Sequence, residues 1–239
     1  MAVEKIRVGC CGFAGSRKRY FQAFRIVEIQ ETFYEPPKVA TARKWRAEAP
    51  EGFEFTMKAW QLITHTSSSP TYRRLRTKLS DSEKKQAGSF RPTRIVLEAW
   101  ERTAETARAL EADKILFQCP ASFKPTEENK KNLISFFEHI DREGFTLLWE
   151  PRGVWQPEEI RELCRRLNLI HCVDPFSARP VTRGLRYFRL HGKGGYRYKY
   201  SDPELRELLE MAQGRSQVSV LFNNVSMFED AQRFQRLIG

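Results

Sequence analysis

Short apolar runs recur along the chain, each ending in polar or charged residues and most leading into a stretch with helical spacing. Ile6–Phe13, Ile26–Tyr34, Phe53–Trp60 and Lys114–Pro120 read as the first four strands. The fifth starts at Leu147-Leu148-Trp149 and stops abruptly in Glu150, Pro151 and Arg152; Leu169–Asp174, Leu185–Gly192 and Val218–Asn224 complete the set. Helical spacing is predicted over Ser16–Phe24, from Pro36-Pro37 through Trp45, over Ile95–Leu110, from Thr126 to about Ile140, and from Pro157 to near Leu167. Ser201-Asp202-Pro203-Glu204 forms a capping-box start for another helix, and Ser226 to Glu229 resembles a second before the last. Strand and helix thus alternate eight times without an interpretable linker. That order predicts an α/β fold, a single (β/α)8 TIM-type barrel over residues 1–239. An open doubly wound sheet competes, but the glycine turn after the first strand lacks GxGxxG.

One stretch breaks the pattern. Residues 66–93 are rich in serine and basic residues and poor in apolar ones, and predict a basic loop insertion acting as a lid, binding loop or mobile segment.

Active sites of such barrels lie at the C-terminal ends of the strands. Those ends carry Glu28 and Gln30, Lys58 and His65, Gln118, Glu150 and Arg152, Asp174, Arg189 and His191, and Asn223. Side chains two apart on a strand share a face, so Glu150/Arg152 and Arg189/His191 point into one mouth while Trp149 faces the helices. Lys58, Arg152 and Arg189 suit an anion, because guanidinium groups grip carboxylate or phosphate in a bidentate fork. The glycine-rich loop Gly192–Gly195 would add backbone N–H donors. Glu150 and His191 form the candidate acid/base pair, with Asp174 beside them. The carboxylates Glu28, Glu150 and Asp174 could instead hold a divalent metal ion, though no fixed spacing demands one. Plainer roles are also open. Glu28 fits a buried acid paired with Lys58 or Arg189, Gln118 and Asn223 fit hydrogen bonds to loop backbone, and His65 fits a structural position.

Composition narrows the partners. The net charge of +11 favours an anionic small molecule or nucleic acid, or else marks a merely solvated surface. Basic patches at Arg17–Arg19, Arg73–Lys78 and Lys84–Lys85, with Tyr196, Tyr198 and Tyr200 interleaving Arg197 and Lys199, would suit a nucleic-acid backbone and stacked bases. No stretch approaches the roughly 20 apolar residues that span a bilayer. The N-terminus lacks a long apolar segment, so a soluble cytoplasmic location without a signal peptide is expected. The cysteines Cys10, Cys11, Cys119, Cys164 and Cys172 form no CxxC pair and read as small buried hydrophobes.

Seven motifs in order carry a resemblance: GCCGF from Gly9, VEIQETFYEPP from Val27, FTMKAWQLITH from Phe55, FQCPASF from Phe117, WEPRGVW from Trp149, YFRLHG from Tyr187 and FNN from Phe222. The chain resembles the YecE-like family, domain of unknown function 72, along essentially its full length. The resemblance implies a (β/α)8-type barrel with a polar pocket at the strand ends, and no established activity. Gln30 stands where the family usually carries Asn. Three readings follow: an enzyme of hydrolase type acting on a phosphate-containing substrate; a nucleic-acid-binding or nuclease-type protein; and a non-catalytic ligand-binding barrel.

Overall fold

The computed structural model describes residues 5–142, 144–214 and 217–239. The extreme N-terminus, on which the expectation about a signal peptide rests, lies outside them. The element order is β1 (Lys5–Cys11), α1 (Arg17–Ala23), β2 (Ile26–Ile29), α2 (Glu31–Tyr34), α3 (Val39–Glu48), β3 (Glu54–Lys58), α4 (Gln61–Thr64), a 3-10 turn (Pro70–Arg74), α5 (Asp81–Gln86) and α6 (Arg94–Leu110). It continues with β4 (Lys114–Gln118), α7 (Glu127–His139), β5 (Thr146–Glu150), α8 (Pro157–Leu167), β6 (Ile170–Val173), β7 (Arg186–Leu190), α9 (Asp202–Ala212), β8 (Gln217–Phe222) and α10 (Met227–Ile238). All strands run parallel and the sheet closes in sequence order, β8 pairing back onto β1. The predicted TIM-type barrel is the observed architecture.

Two apolar layers result from strand alternation. Outward residues such as Val27, Phe55, Phe117, Trp149 and Val220 pack under the helices. Inward residues Cys11, Ile26, Leu116, Leu148, Cys172, Tyr187 and Leu221 fill the barrel. Helix α6 shows why the spacing could be read: Val96, Ala99, Trp100, Thr103, Ala107 and Leu110 are all buried along one stripe. Glu54 plugs the N-terminal end, 3.0 Å from Arg7 Nε and 2.9 Å from Lys114 Nζ. The cysteines are all free and buried.

Four expectations are corrected. The second strand ends at Ile29, not Tyr34, because the Thr32 hydroxyl donates to the carbonyls of Ile29 (2.9 Å) and Lys58 (2.7 Å) and turns the chain into α2. Ser201 and Glu204 form the expected capping box, but Ser226 makes no side-chain cap, and Glu229 pairs with Lys199 instead. Strand–helix alternation fails once: β6 and β7 are joined by residues 174–185 with no helix among them.

The insertion is the fourth. Its C-terminal end is core: Ala87 and Phe90 are fully buried and Phe90 packs on Phe117, Phe123, Phe136 and Phe137, while Tyr72, Leu75 and Leu79 pack half-buried against the same core. Backbone N–H groups of Gly88 and Phe90 donate to the carbonyls of Leu62 and Ile63 at 2.8 Å. A Cβ at Gly88, whose φ is +82°, would meet the His65 carbonyl at 2.2 Å, so glycine is required there. Glu35 accepts from the N–H groups of Arg76 and Thr77, and the Tyr72 hydroxyl donates to the His65 carbonyl at 2.8 Å. Replacing Tyr72 with Phe is expected to cost about 0.5–1.5 kcal/mol in urea denaturation. A detached lid would show no change.

Candidate functional site

The upper half of the barrel interior is charged. Arg189, wholly buried on β7, lies between two carboxylates. Its Nη1 donates to Glu150 Oε2 at 2.5 Å and its Nε to Glu28 Oε1 at 3.1 Å. Nη2 is 2.9 Å from the same Glu28 oxygen, an electrostatic contact that does not meet hydrogen-bond angles. Glu28 Oε2 accepts from the Tyr187 hydroxyl at 2.9 Å, Thr56 Oγ1 lies 2.7 Å from that hydroxyl, and Gln30 donates its amide to Glu28. The reading of Glu28 as a buried acid paired with Arg189 therefore describes its place. Burial alone would raise the Glu150 carboxyl, but the Arg189 charge, the His191 hydrogen bond and Arg152 outweigh it and hold it well below the usual carboxylate range.

Lys58 sits beside this trio with its ammonium 2.6 Å from Gln118 Oε1 and 3.9 Å above the Phe33 ring. Burial, then the Arg189 charge, push its pKa down to about 7 against the opposing pull of Glu28 and Glu150. Between about pH 7 and 10.5 the unfolded chain binds more protons at this lysine than the folded one, so its contribution makes stability rise with pH across that window. Lys58→Met is expected to flatten that rise in denaturation midpoints measured from pH 7 to 10; an unchanged slope would show that Lys58 is not the group responsible.

The mouth lies one residue pair higher. Glu150 Oε1 lies 3.0 Å from His191 Nε2 and 2.9 Å from Arg152 Nη2. The Asn223 amide nitrogen is 3.0 Å from His191 Nδ1. Donation from Asn223 to Nδ1 leaves the neutral ring's proton on Nε2, where it is given to Glu150; Arg152 Nη2, 2.9 Å from the same Nε2, then makes its hydrogen bond to the carboxylate. When the ring gains a second proton on Nδ1, that N–H can donate to the carbonyl oxygen of a flipped Asn223 amide. Gly192, at φ +86°, ends the strand where a Cβ would meet the Gly195 carbonyl at 2.5 Å.

The remaining expected residues are placed differently. Asp174 accepts from the backbone N–H groups of Phe176 (3.0 Å) and His191 (2.8 Å), so it latches the strand end rather than offering a free carboxylate. His65 is buried against Phe33 with Nδ1 2.8 Å from the Thr64 hydroxyl, and burial pushes it down to about 4, as a structural histidine. The N–H groups of Gly192 and Gly195 are used by the Tyr200 hydroxyl and the Gly192 carbonyl, so they offer no anion cradle. Tyr200 is buried and Tyr198 donates to Glu204, which leaves Tyr196 exposed and no run of stacking rings. Among the described residues no three His, Cys, Asp or Glu side chains converge as a metal site. With Glu28 and Glu150 tied to Arg189 and Asp174 to backbone, these carboxylates do not fit the divalent cation considered for them.

A cleft of about 900 Å³ opens at this mouth between the β5–α8 and β6–β7 connections, and Glu150, Arg152 and His191 line its inner end. His171 also lines it. Strand alternation hides this residue, because its place on β6 shares the outward face with helix-packing residues such as Trp149. Val181 N–H donates to its Nδ1 at 3.3 Å, which puts the ring proton on Nε2, and burial pushes its pKa down to about 4.

Comparison with known proteins settles the family. The model described as "Protein of unknown function DUF72" matches residues 14–239. The chain belongs to the DUF72 family. This DUF72 barrel is 23% identical to a DUF72 family protein from Enterococcus faecalis, with a TM-score of 0.74 over 100% of this chain and 99% of the other. It is likewise 23% identical to a DUF72 family protein from Thermotoga maritima, with a TM-score of 0.72 over 98% and 99%. More distant is endonuclease IV from Thermus thermophilus, 14% identical with a TM-score of 0.56 over 97% of each chain. At these identities the likeness to each structure concerns the fold alone. Comparison with curated proteins finds no match. No helix among the described residues of the DUF72 chain is long and apolar enough to cross a membrane.

Proposed function

We propose that this DUF72 protein is an enzyme that performs acid–base chemistry on a phosphate-containing small molecule at the barrel mouth. The observation that carries the reading is the His191 ring held between Glu150 and Asn223 at the wall of an arginine-lined cleft. A carboxylate fixed in its charged form orients an imidazole and stabilises the imidazolium formed when the ring takes a proton. Arg189 keeps Glu150 charged from below, while Arg152 faces the cleft. The volume suits a small molecule, since ligand sites commonly run from about 300 to 1,000 Å³.

Thermal-shift and turnover screens of phosphomonoesters, phosphodiesters, sugar phosphates and their uncharged counterparts, with and without magnesium or zinc, test this. Phosphate-bearing compounds are expected to raise Tm and uncharged counterparts to leave it unchanged. Equal stabilisation by both sets would contradict the anionic substrate. Binding without turnover of any compound would favour a ligand-binding barrel over an enzyme.

A further inference from the structure

The missing helix between β6 and β7 gives the cleft its second half. Residues 174–185 contain no helix, and the 177–181 part of this loop lines one cleft with Pro157, Ile160 and Arg161 from the N-terminal half of α8. One wall carries Trp155, Pro157 and Ile160, and the facing loop carries Pro180 and Val181. Three arginines line the same space: Arg152 at the inner end, Arg161 on α8 and Arg179 on the loop. The two lining carboxylates are already occupied, Glu150 by Arg189, Arg152 and His191, and Asp174 by backbone N–H groups. Among the described residues Arg179 has no ion-pair partner, and Arg161 has only the exposed Glu158 at 3.7 Å. Two cations with weak or no compensation, Arg161 and Arg179, therefore line the same cleft as the acid–base pair, together with the apolar side chains of Trp155, Ile160 and Val181.

We infer that Arg161 and Arg179 bind a phosphate that is not the reacting group: a terminal handle on a substrate whose apolar or aromatic body crosses the Trp155–Val181 passage and whose reactive end reaches His191. This rests on the reading of the mouth as an anion-binding acid–base site and narrows its substrate class to monophosphate esters of an apolar or aromatic body. A non-reacting handle supplies binding energy that orients the far end of the substrate. His171, neutral and with its Nε2 proton free of the Val181 contact, gives the passage a hydrogen-bond donor without adding charge. Guanidinium groups suit the handle because they bind phosphate through paired N–H donors and stay charged.

Isothermal titration of the full chain with phenyl phosphate, benzyl alcohol and inorganic phosphate tests the inference. Phenyl phosphate is expected to bind more tightly than inorganic phosphate, and benzyl alcohol more weakly than either. The Arg161→Ala/Arg179→Ala double variant is expected to raise the phenyl phosphate Kd at least about tenfold, while His191→Ala changes it less than about threefold. Both arginines are exposed, so the double variant is expected to keep the wild-type Tm, and charge-reversed Arg179→Glu gives a second readout if it does not. If the double variant binds normally and Arg152→Ala abolishes binding, the phosphate sits at the mouth; the handle is then wrong and the proposed function stands. If phenyl phosphate and inorganic phosphate both fail to bind the wild type, the anion-binding reading itself falls.

Discussion

Replacing Arg189 with methionine is expected to destabilise the barrel by about 3–5 kcal/mol, measured by urea denaturation. The physical reason is asymmetric. A buried ion pair contributes little net stability over apolar packing, because desolvation offsets much of the attraction. Removing one partner is different, since it leaves the others buried and uncompensated. Here one removal takes the only ion-pair partner from Glu28, which has no exposure, and leaves Glu150, 5% exposed, with Arg152 as its one remaining arginine among the described residues. The triple variant Glu28→Gln/Glu150→Gln/Arg189→Met removes all three charges and is expected to regain most of the loss. A single-variant cost under about 1 kcal/mol would show that water reaches these acids and that the interior is not the dry charge cluster described.

The second large effect is on turnover. Glu150→Gln and His191→Ala are each expected to lower kcat/KM by about 10²–10⁴ on whichever phosphate-bearing substrate the protein turns over. Added imidazole should restore part of the His191→Ala loss, because the void left at the cleft wall can admit the free base. Glu150→Gln should not respond, since the ring is still present and only its carboxylate partner has gone. The two losses should also fail to add in the double variant, as residues acting as one unit do. Unchanged turnover in both single variants would remove the acid–base roles while leaving the pocket intact.

The barrel and the inward set were legible because both depend on short-range period. Alternation along a strand puts Glu150 with Arg152 and Arg189 with His191 on one face, whatever the rest of the chain does. The Glu150–His191 contact spans 41 residues, so sequence could suggest the pair but could not supply its geometry. Residues 66–93 misled because core membership there hangs on a few positions, Ala87 and Phe90, among many polar neighbours. The β-rich composition of Gln30–Tyr34 hid a turn made by one threonine hydroxyl. The arginine-lined half of the cleft was illegible for a different reason. It exists because a helix is missing, and an irregular loop carries no period from which Arg179 could be placed opposite α8.

The central claim is that His191 is a working acid–base group oriented by Glu150. Nitrogen-15 NMR of the His191 ring in histidine-labelled protein, assigned with His191→Ala, tests it most directly. At a pH where the ring is neutral, the proton is expected on Nε2, with mixed occupancy in Glu150→Gln and a change in the ring signals when phenyl phosphate fills the cleft. A ring protonated on Nδ1, indifferent to both the Glu150 substitution and the ligand, would contradict it.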